Sequence, residues 1–159
     1  MEIAHKVGNA NCDTVTKALE LATDRIVSSR YMKGGMGDSG KCHPRDAIAM
    51  SWLAKKLNLS YDLYEKLLEC RQEQTAWLAV MAHDERWIYK KDNLIILGKA
   101  FKKNTNIKTG SCAVLMTHFL ENFTQYDPHI DPHRNFCAGV YFIATEHDIF
   151  KHYEFPEGS

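Results

Sequence analysis

Four consecutive apolar residues at positions 94–97, LIIL, are followed directly by Gly98. A short run that is apolar on both faces is typical of a strand buried inside a parallel sheet, which helices cover on its two sides. Residues 111–122 then follow a helical pattern, and residues 123–126 and 140–145 are two further strand candidates. A strand, a helix and two more strands with short connections together predict a small α/β layer.

The part of the chain before this layer has the pattern of successive helices. Apolar residues recur at helical spacing over 13–27, where Asn11 or Asp13 can cap the start. A second helix is predicted over 44–57, and Ser60 is the candidate N-cap of a long third helix. The third helix would carry five apolar residues near one face: Leu63, Leu67, Cys70, Trp77 and Met81. We therefore predict an α/β protein in which an all-helical central domain, residues 1–88, is followed by a small, truncated Rossmann-like parallel α/β domain, residues 89–159.

Charge and hydropathy exclude several classes of partner. Twenty Lys and Arg residues balance twenty Asp and Glu residues, and no long basic run alternates with aromatics, so no nucleic acid is expected. Since no apolar run approaches the ~20 residues that span a bilayer, and no signal-peptide core follows Met1, we expect no membrane contact and a cytoplasmic location. The five cysteines are widely spaced and form no C-x-x-C pair, which favours reduced thiols.

The glycine-rich segment at residues 34–46, GGMGDSGKCHPRD, is the strongest candidate for a chemical site. Glycines let a backbone approach a ligand closely, and the proline suits a first helical turn. A helix N-terminus beside Lys41 and Arg45 favours the thiolate form of Cys42. Asp46 follows four residues later, so a helix would return it to the same face. The pattern predicts a working thiol at Cys42.

This segment also resembles the catalytic-cysteine loop of the UDP-glucose/GDP-mannose dehydrogenase family, G-x-G-G-x-C-x-P-[KR]-D. Further segments are similar to that family's motifs and occur in the same order. They are residues 2–9 (E-x-x-K-x-x-x-N), 24–26 (D-x-R-I), 96–105 (G-x-A-F-K-x-x-T), 126–128 (Y-D-P) and 142–147 (a strand ending in T-x-H). Because the matches are colinear from residue 2 to about 150, the chain is identified as a relative of the family's central and C-terminal domains, with internal shortening.

The resemblance implies an activity and a set of site residues. In the family, NAD accepts two hydrides from the C6 alcohol of a nucleotide-sugar, while a cysteine holds the intermediate as a thiohemiacetal and then a thioester. The residues at the catalytic positions are Cys42 as nucleophile, Asp46 as acid or base, Asn9 at the water or oxyanion, and His5 where the family has a lysine. The substrate-binding positions are Arg25, Gly37, Gly40, Phe101 and Lys102, and Lys108 takes a cofactor-binding position.

Each of these residues also has a simpler explanation. Cys42 could be a spectator thiol in a capped turn, and Asp46 could only stabilise a helix N-terminus. Arg25 could lie on a helix surface, His5 could be an exposed terminal residue, and Lys102 could belong to a solvated loop. The types of His129, His133 and Cys137 suit zinc, but prolines interrupt the helix that would align them, so no metal site is expected.

The glycines of residues 35–40, GMGDSG, have the spacing G-x-G-x-x-G, but they follow a predicted helix and not a strand, so they do not match the fingerprint that the family's NAD-binding domain carries. We therefore expect a partial nucleotide-sugar 6-dehydrogenase that oxidises a UDP- or GDP-sugar to the uronic acid only when a separate NAD-binding subunit assembles with it. The alternatives are an inactive remnant and a non-catalytic module for nucleotide-sugar binding or dimerisation. The family's central helices also imply a homodimer.

Overall fold

A computed structural model of the chain describes residues 8–21, 35–36 and 39–159. The chain divides into two compact units, residues 1–37 and residues 38–159. The division into a helical domain, residues 1–88, and an α/β domain, residues 89–159, stays a prediction. The first unit contains helix α1, Cys12–Glu20. Of the two candidate caps, Asn11 is the N-cap of α1, because its side chain accepts a 3.0 Å hydrogen bond from the backbone N–H of Thr14. Residues 22–27 of the predicted helix lie outside the described residues.

The second unit combines helices with a small parallel sheet. Its elements in chain order are α2 (Cys42–Lys56), α3 (Leu63–Ile88), β1 (Leu94–Leu97), α4 (Cys112–Thr117), β2 (Phe123–Tyr126), β3 (Val140–Ile143) and a 3₁₀ helix, Asp148–His152. The strand order is β2-β1-β3, with β1 parallel to both neighbours. All four residues of β1 are buried, so the run LIIL forms the centre of the sheet. The predicted fold class, helices followed by a small parallel α/β layer, is confirmed.

Helix α2 begins at Cys42, slightly earlier than predicted, and ends within one residue of the predicted position. Helix α3 is capped differently from the prediction. The side chain of Asp62, not Ser60, accepts a 2.9 Å hydrogen bond from the backbone N–H of Glu65. The same carboxylate accepts a 2.6 Å hydrogen bond from the hydroxyl of Ser51, which joins the start of α3 to a buried position on α2.

The buried face of α3 consists of small or branched side chains: Thr75, Leu78, Ala79 and Ala82. Helix α3 contacts α2, α4 and the sheet. The buried face differs from the face that the sequence predicted, since Leu63, Leu67 and Cys70 of that face are exposed. Two alanines allow a helix to lie close to its neighbours, and packing of this kind decides the buried side more than hydropathy does.

Helix α4 is shorter than the predicted helix at 111–122. Its N-cap is Ser111, whose hydroxyl accepts hydrogen bonds from the backbone N–H groups of Ala113 and Val114 at 3.1 and 3.4 Å. Ile95 and Leu97 of β1 pack in a hydrophobic cluster with Tyr126 and Phe150. Within the described ranges, no helix combines the length and apolarity needed to cross a bilayer.

Candidate functional site

The carboxyl ends of the three strands meet at a buried carboxylate. Asp127 follows β2 and is fully buried. Its Oδ2 accepts hydrogen bonds from the backbone N–H groups of Lys99 and Ala100, at 2.7 and 3.0 Å, in the turn after β1. Its Oδ1 accepts the backbone N–H of His129 at 2.9 Å, and Nε2 of His147, which follows β3, lies 3.0 Å from Oδ2. One side chain therefore ties all three strand ends together.

The hydrogen bonds of Asp127 keep it ionised despite its burial. Burial by itself raises the pKa of this carboxyl group, but the backbone N–H groups of Lys99, His129 and Ala100 and the ring of His147 together outweigh it. The pKa therefore lies below its ordinary value. A buried carboxylate with four donors is both charged and satisfied.

His147 joins this carboxylate to a surface loop. Its side chain is fully buried, and its Nδ1 accepts the backbone N–H of Asn104 at 2.9 Å. Since Nδ1 acts as an acceptor, the ring proton lies on Nε2 and is donated to Asp127. Asn104 has a φ of +56°, in the left-handed region that asparagine tolerates. The side-chain Nδ2 of Asn104 donates to Asp148 Oδ2 at 2.5 Å, and its Oδ1 accepts the backbone N–H of Asp148 at 3.1 Å.

The loop at residues 101–108 carries three of the residues that the resemblance assigns to ligands. It closes on itself where the backbone N–H of Phe101 donates to the carbonyl of Ile107 at 2.9 Å. Phe101 is half-buried, whereas Lys102 and Lys108 are exposed. The Nζ of Lys102 lies 5.3 Å from the centre of the Phe101 ring, within the range of a cation–π contact.

The segment before Cys42 packs directly against this loop. The backbone N–H of Gly40 donates to the carbonyl of Gly110 at 2.9 Å. The hydroxyl of Ser39 donates to the carbonyl of Phe101 at 3.2 Å and accepts the backbone N–H of Cys112 at 3.4 Å. A Cβ at Gly40 would lie 3.1 Å from the Phe101 ring, so the ring occupies the space that a side chain would fill.

Cys42 is the first residue of α2 and its thiol is exposed. Asp46 lies one turn further along the same side of the helix. Its carboxylate is engaged by its neighbour, because the Arg45 guanidinium donates to Asp46 Oδ1 at 2.8 Å. Arg45 thereby holds the pKa of Asp46 below its ordinary value. The predicted acid or base is therefore an ionised carboxylate paired with a cation.

The described residues account for part of the predicted site. Gly40 and Phe101 are in contact, with Lys102 on the same loop and Cys42 immediately beyond Gly40. Asn9 lies in the first unit and is exposed, with a φ of +52°. Three of the predicted residues lie outside the described residues: His5, Arg25 and Gly37. The catalytic and binding roles of all these residues stay predictions.

No role was predicted for Asp127 or His147, although both lie in segments that resemble the family's Y-D-P and T-x-H motifs. An acidic residue and a histidine each lie just beyond a predicted strand of one parallel sheet. Because the carboxyl ends of parallel strands share an edge, this placement was the available signal for a contact. Their burial, in contrast, depends on packing that a motif does not specify.

The turn after β1 does not fit a dinucleotide. In Rossmann domains the backbone N–H groups of the first such turn are available to a pyrophosphate. Here the N–H groups of Lys99 and Ala100 are taken by the Asp127 carboxylate, and a negative charge at this position opposes a second anion. Lys108 remains a predicted cofactor contact. Among the described residues, no three His, Cys, Asp or Glu side chains are arranged to hold a metal ion.

Comparison with known proteins gives the relatives of this chain. Residues 1–73 match the central domain of the UDP-glucose/GDP-mannose dehydrogenase family. UDP-glucose 6-dehydrogenase TuaD of Bacillus subtilis (strain 168) is 24% identical over 131 residues, which are 82% of this chain and 28% of that protein. GDP-mannose 6-dehydrogenase of Pseudomonas putida is 30% identical over 82 residues, 50% of this chain and 17% of that protein. The chain thus spans less than a third of the length of these relatives.

Two solved structures have the same fold over most of the chain. A UDP-glucose dehydrogenase from Pyrobaculum islandicum superposes with a TM-score of 0.62 at 20% identity, covering 89% of this chain and 37% of that one. A UDP-D-ManNAc dehydrogenase from Pyrococcus horikoshii has a TM-score of 0.62 at 21% identity, covering 96% of this chain and 38% of that one. The resemblance inferred from the motifs is confirmed: this chain is similar to proteins of the UDP-glucose/GDP-mannose dehydrogenase family.

Proposed function

We propose that this chain is the part of a nucleotide-sugar 6-dehydrogenase that carries the catalytic cysteine and the nucleotide-sugar loop. It oxidises a UDP- or GDP-sugar to the uronic acid when an NAD-binding domain from outside these 159 residues joins it. The observation that carries this proposal is the contact between the cysteine segment and the loop. Gly40 and Ser39 bond the loop backbone at Gly110 and Phe101, which brings two distant family motifs to one place.

Cys42 has a position that suits covalent chemistry on a carbonyl. The sulfur lies at the exposed start of a helix, where the first backbone N–H groups favour negative charge. In the proposed step the sulfur of Cys42 adds to the C6 aldehyde carbon, a C–S bond replaces the carbonyl π bond, and the thiol proton passes to the carbonyl oxygen to give a thiohemiacetal. Hydride acceptance is the chemistry that NAD supplies when bound. This chain's contribution is to hold the sugar carbon at the sulfur.

Lys102 is the best candidate for binding the diphosphate of the substrate. A diphosphate is anionic and binds to ammonium groups. The neighbouring Lys103 lies 3.8 Å from the Asp148 carboxylate, whereas the ammonium of Lys102 lies over the face of Phe101. Lys102 can therefore add charge to a ligand that contacts the aromatic ring, beside the segment that precedes Cys42.

A thermal-shift titration tests the proposal with UDP-glucose, UDP-N-acetylhexosamines, GDP-mannose and NAD as separate ligands. A ligand at 100 times its dissociation constant stabilises the folded chain by about 2.7 kcal/mol. We expect one sugar nucleotide to raise the melting temperature and Lys102→Ala to abolish the rise. Lys66→Ala is the matched control, since Lys66 is an exposed lysine on α3 that pairs with Glu69, and it should leave the rise intact. A cooperative melt that no sugar nucleotide shifts would contradict the proposal.

A second candidate, a non-catalytic dimerisation or binding module, is favoured by a different observation. Large apolar side chains are exposed on both long helices, among them Trp52 of α2 and Leu63 and Leu67 of α3. Exposed apolar surface of this kind is typical of an interface between proteins. A chain that forms a stable dimer and binds no sugar nucleotide would support this module instead of the enzyme. A chain that aggregates would instead support an inactive remnant.

A further inference from the structure

His147 is a buried side chain with two polar atoms and a partner at each. Nε2 donates to the Asp127 carboxylate, and Nδ1 accepts the backbone N–H of Asn104. Asp127 is fixed in turn by the strand-end turn of β1, through the N–H groups of Lys99 and Ala100. The ring therefore connects a rigid point inside the fold with the middle of the exposed loop.

The loop has no helix or strand of its own to hold its shape. Residues 102–104 and 106–108 are exposed, and the backbone of Asn104 is in the left-handed region. A loop of this kind is ordered only by the bonds that tie it to the rest of the protein. Its start is fixed at Ala100 by Asp127, and its far end is fixed at Gly110 by Gly40.

We propose that the buried Asp127–His147 pair is a positioning device, which holds the backbone of Asn104 and thereby sets the place of Phe101 and Lys102 beside the Cys42 segment. The binding consequence rests on the proposed function. A loop that is ordered in advance loses less conformational entropy when a ligand binds, so the same contacts give a higher affinity. His147 touches no substrate in this proposal and acts through the loop.

Two substitutions each remove one of the two hydrogen bonds that the His147 ring makes. In His147→Asn, the amide oxygen takes the place of Nδ1 and can still accept the N–H of Asn104, while the donor to Asp127 is lost. In His147→Gln, the longer side chain can still donate to Asp127, while the acceptor for Asn104 is lost. The bond lost in His147→Asn is the one to the buried carboxylate, and a hydrogen bond to a charged group costs more to lose than a neutral one. A merely structural role would therefore make His147→Asn the more perturbed variant, whereas a role in holding the loop makes His147→Gln the more perturbed variant at Asn104.

The measurements are amide hydrogen exchange of the full chain in the 101–107 segment and the dissociation constant of the sugar nucleotide that shifts the melting temperature. We expect His147→Gln to speed exchange at Asn104 and to weaken binding by roughly 2- to 10-fold, the effect of one lost hydrogen bond. His147→Asn should stay close to the unsubstituted chain in both. Equal exchange at Asn104 in the two variants would overturn the proposal.

The test remains decisive if a variant fails to fold or if no sugar nucleotide binds. A long-range proton–nitrogen NMR spectrum of the unsubstituted chain reports the tautomer of His147 directly, and we expect the proton on Nε2. A proton on Nδ1 would overturn the proposal, because Asn104 would then have no acceptor. If the unsubstituted chain binds no sugar nucleotide, the proposed function fails, while the exchange data still decide whether His147 holds the loop.

Discussion

Gly110 is the residue at which the contact between the cysteine segment and the loop is least tolerant of change. A Cβ at this position would lie 2.2 Å from the carbonyl oxygen of Gly40, and the backbone φ is +73°. Both the space and the backbone conformation therefore require glycine. We expect Gly110→Ala to lower the free energy of unfolding by about 2 kcal/mol or more, as measured by urea denaturation, because the left-handed backbone alone costs about 1–2 kcal/mol.

Gly158→Ala is the matched control for this substitution. Gly158 has a similar φ of +81°, but the nearest atom to a Cβ there is the flexible ammonium of Lys91 at 3.8 Å. This variant should lose no more than about 1–2 kcal/mol, the backbone cost alone. If the two alanine variants were equally stable, the close packing of Gly110 on Gly40 would make no contribution to the free energy of unfolding.

Single residues differ in how far the sequence alone predicts their place in the site. Cys42 and Phe101 were identified from motifs, and the structure places the segment before Cys42 against Phe101. Asp127 and His147 were missed as site residues. Their importance arises from four hydrogen bonds that join segments far apart in the sequence, and no local pattern records which polar groups become buried together.

At the scale of elements, local signals were sufficient for the strands and for α2, but not for α3. The apolar run of β1 is short and ends at Gly98, and both features favour a buried strand over a helix. The sequence predicted Ser60 as the cap of α3, but Asp62 caps the helix, and its carboxylate also bonds Ser51 of α2, a contact that no local pattern shows. The buried face of α3 is likewise set by its neighbours, because small residues such as Ala79 and Ala82 pack closely there.

The 3₁₀ helix at Asp148–His152 is attached to the loop by a carboxylate whose charge depends on pH. Lys151 and Asn104 donate hydrogen bonds to Asp148, and with Lys103 they lower its pKa to about 2, from 3.8. Because the folded pKa lies below the ordinary value, this contribution to stability is complete above about pH 4 and is lost as the pH falls towards 2.

Melting temperatures measured between pH 5 and pH 2 test this link. We expect the melting temperature of the unsubstituted chain to fall more steeply below about pH 4 than that of Asp148→Asn, which has no carboxylate to protonate. Asp92→Asn is the control, since Asp92 is an exposed carboxylate outside the loop, and it should retain the steep fall. Parallel curves for the unsubstituted chain and Asp148→Asn would show that Asp148 adds nothing to acid stability.

At the scale of the whole molecule, the exposed apolar surface of the helices is the feature that the fold leaves unexplained. Leu63, Leu67 and Cys70 lie on one face of α3, at spacings of four and three residues, and all three are exposed. Burying one leucine contributes about 1.5–3 kcal/mol. Water exposure of this face is therefore costly, and we expect a second copy of the chain to cover it.

Sedimentation velocity over a range of concentrations measures this association. We expect a dimer whose dissociation constant rises at least about tenfold in Leu67→Glu, because the substitution removes a buried leucine and places a charge in the interface. Val80→Glu is the matched control. Val80 is also an exposed apolar residue of α3, but its position in the helix places it on a different face, so its dimer should persist. A chain that remains monomeric at every concentration, or a dimer that both substitutions weaken equally, would show that this face of α3 is not the interface.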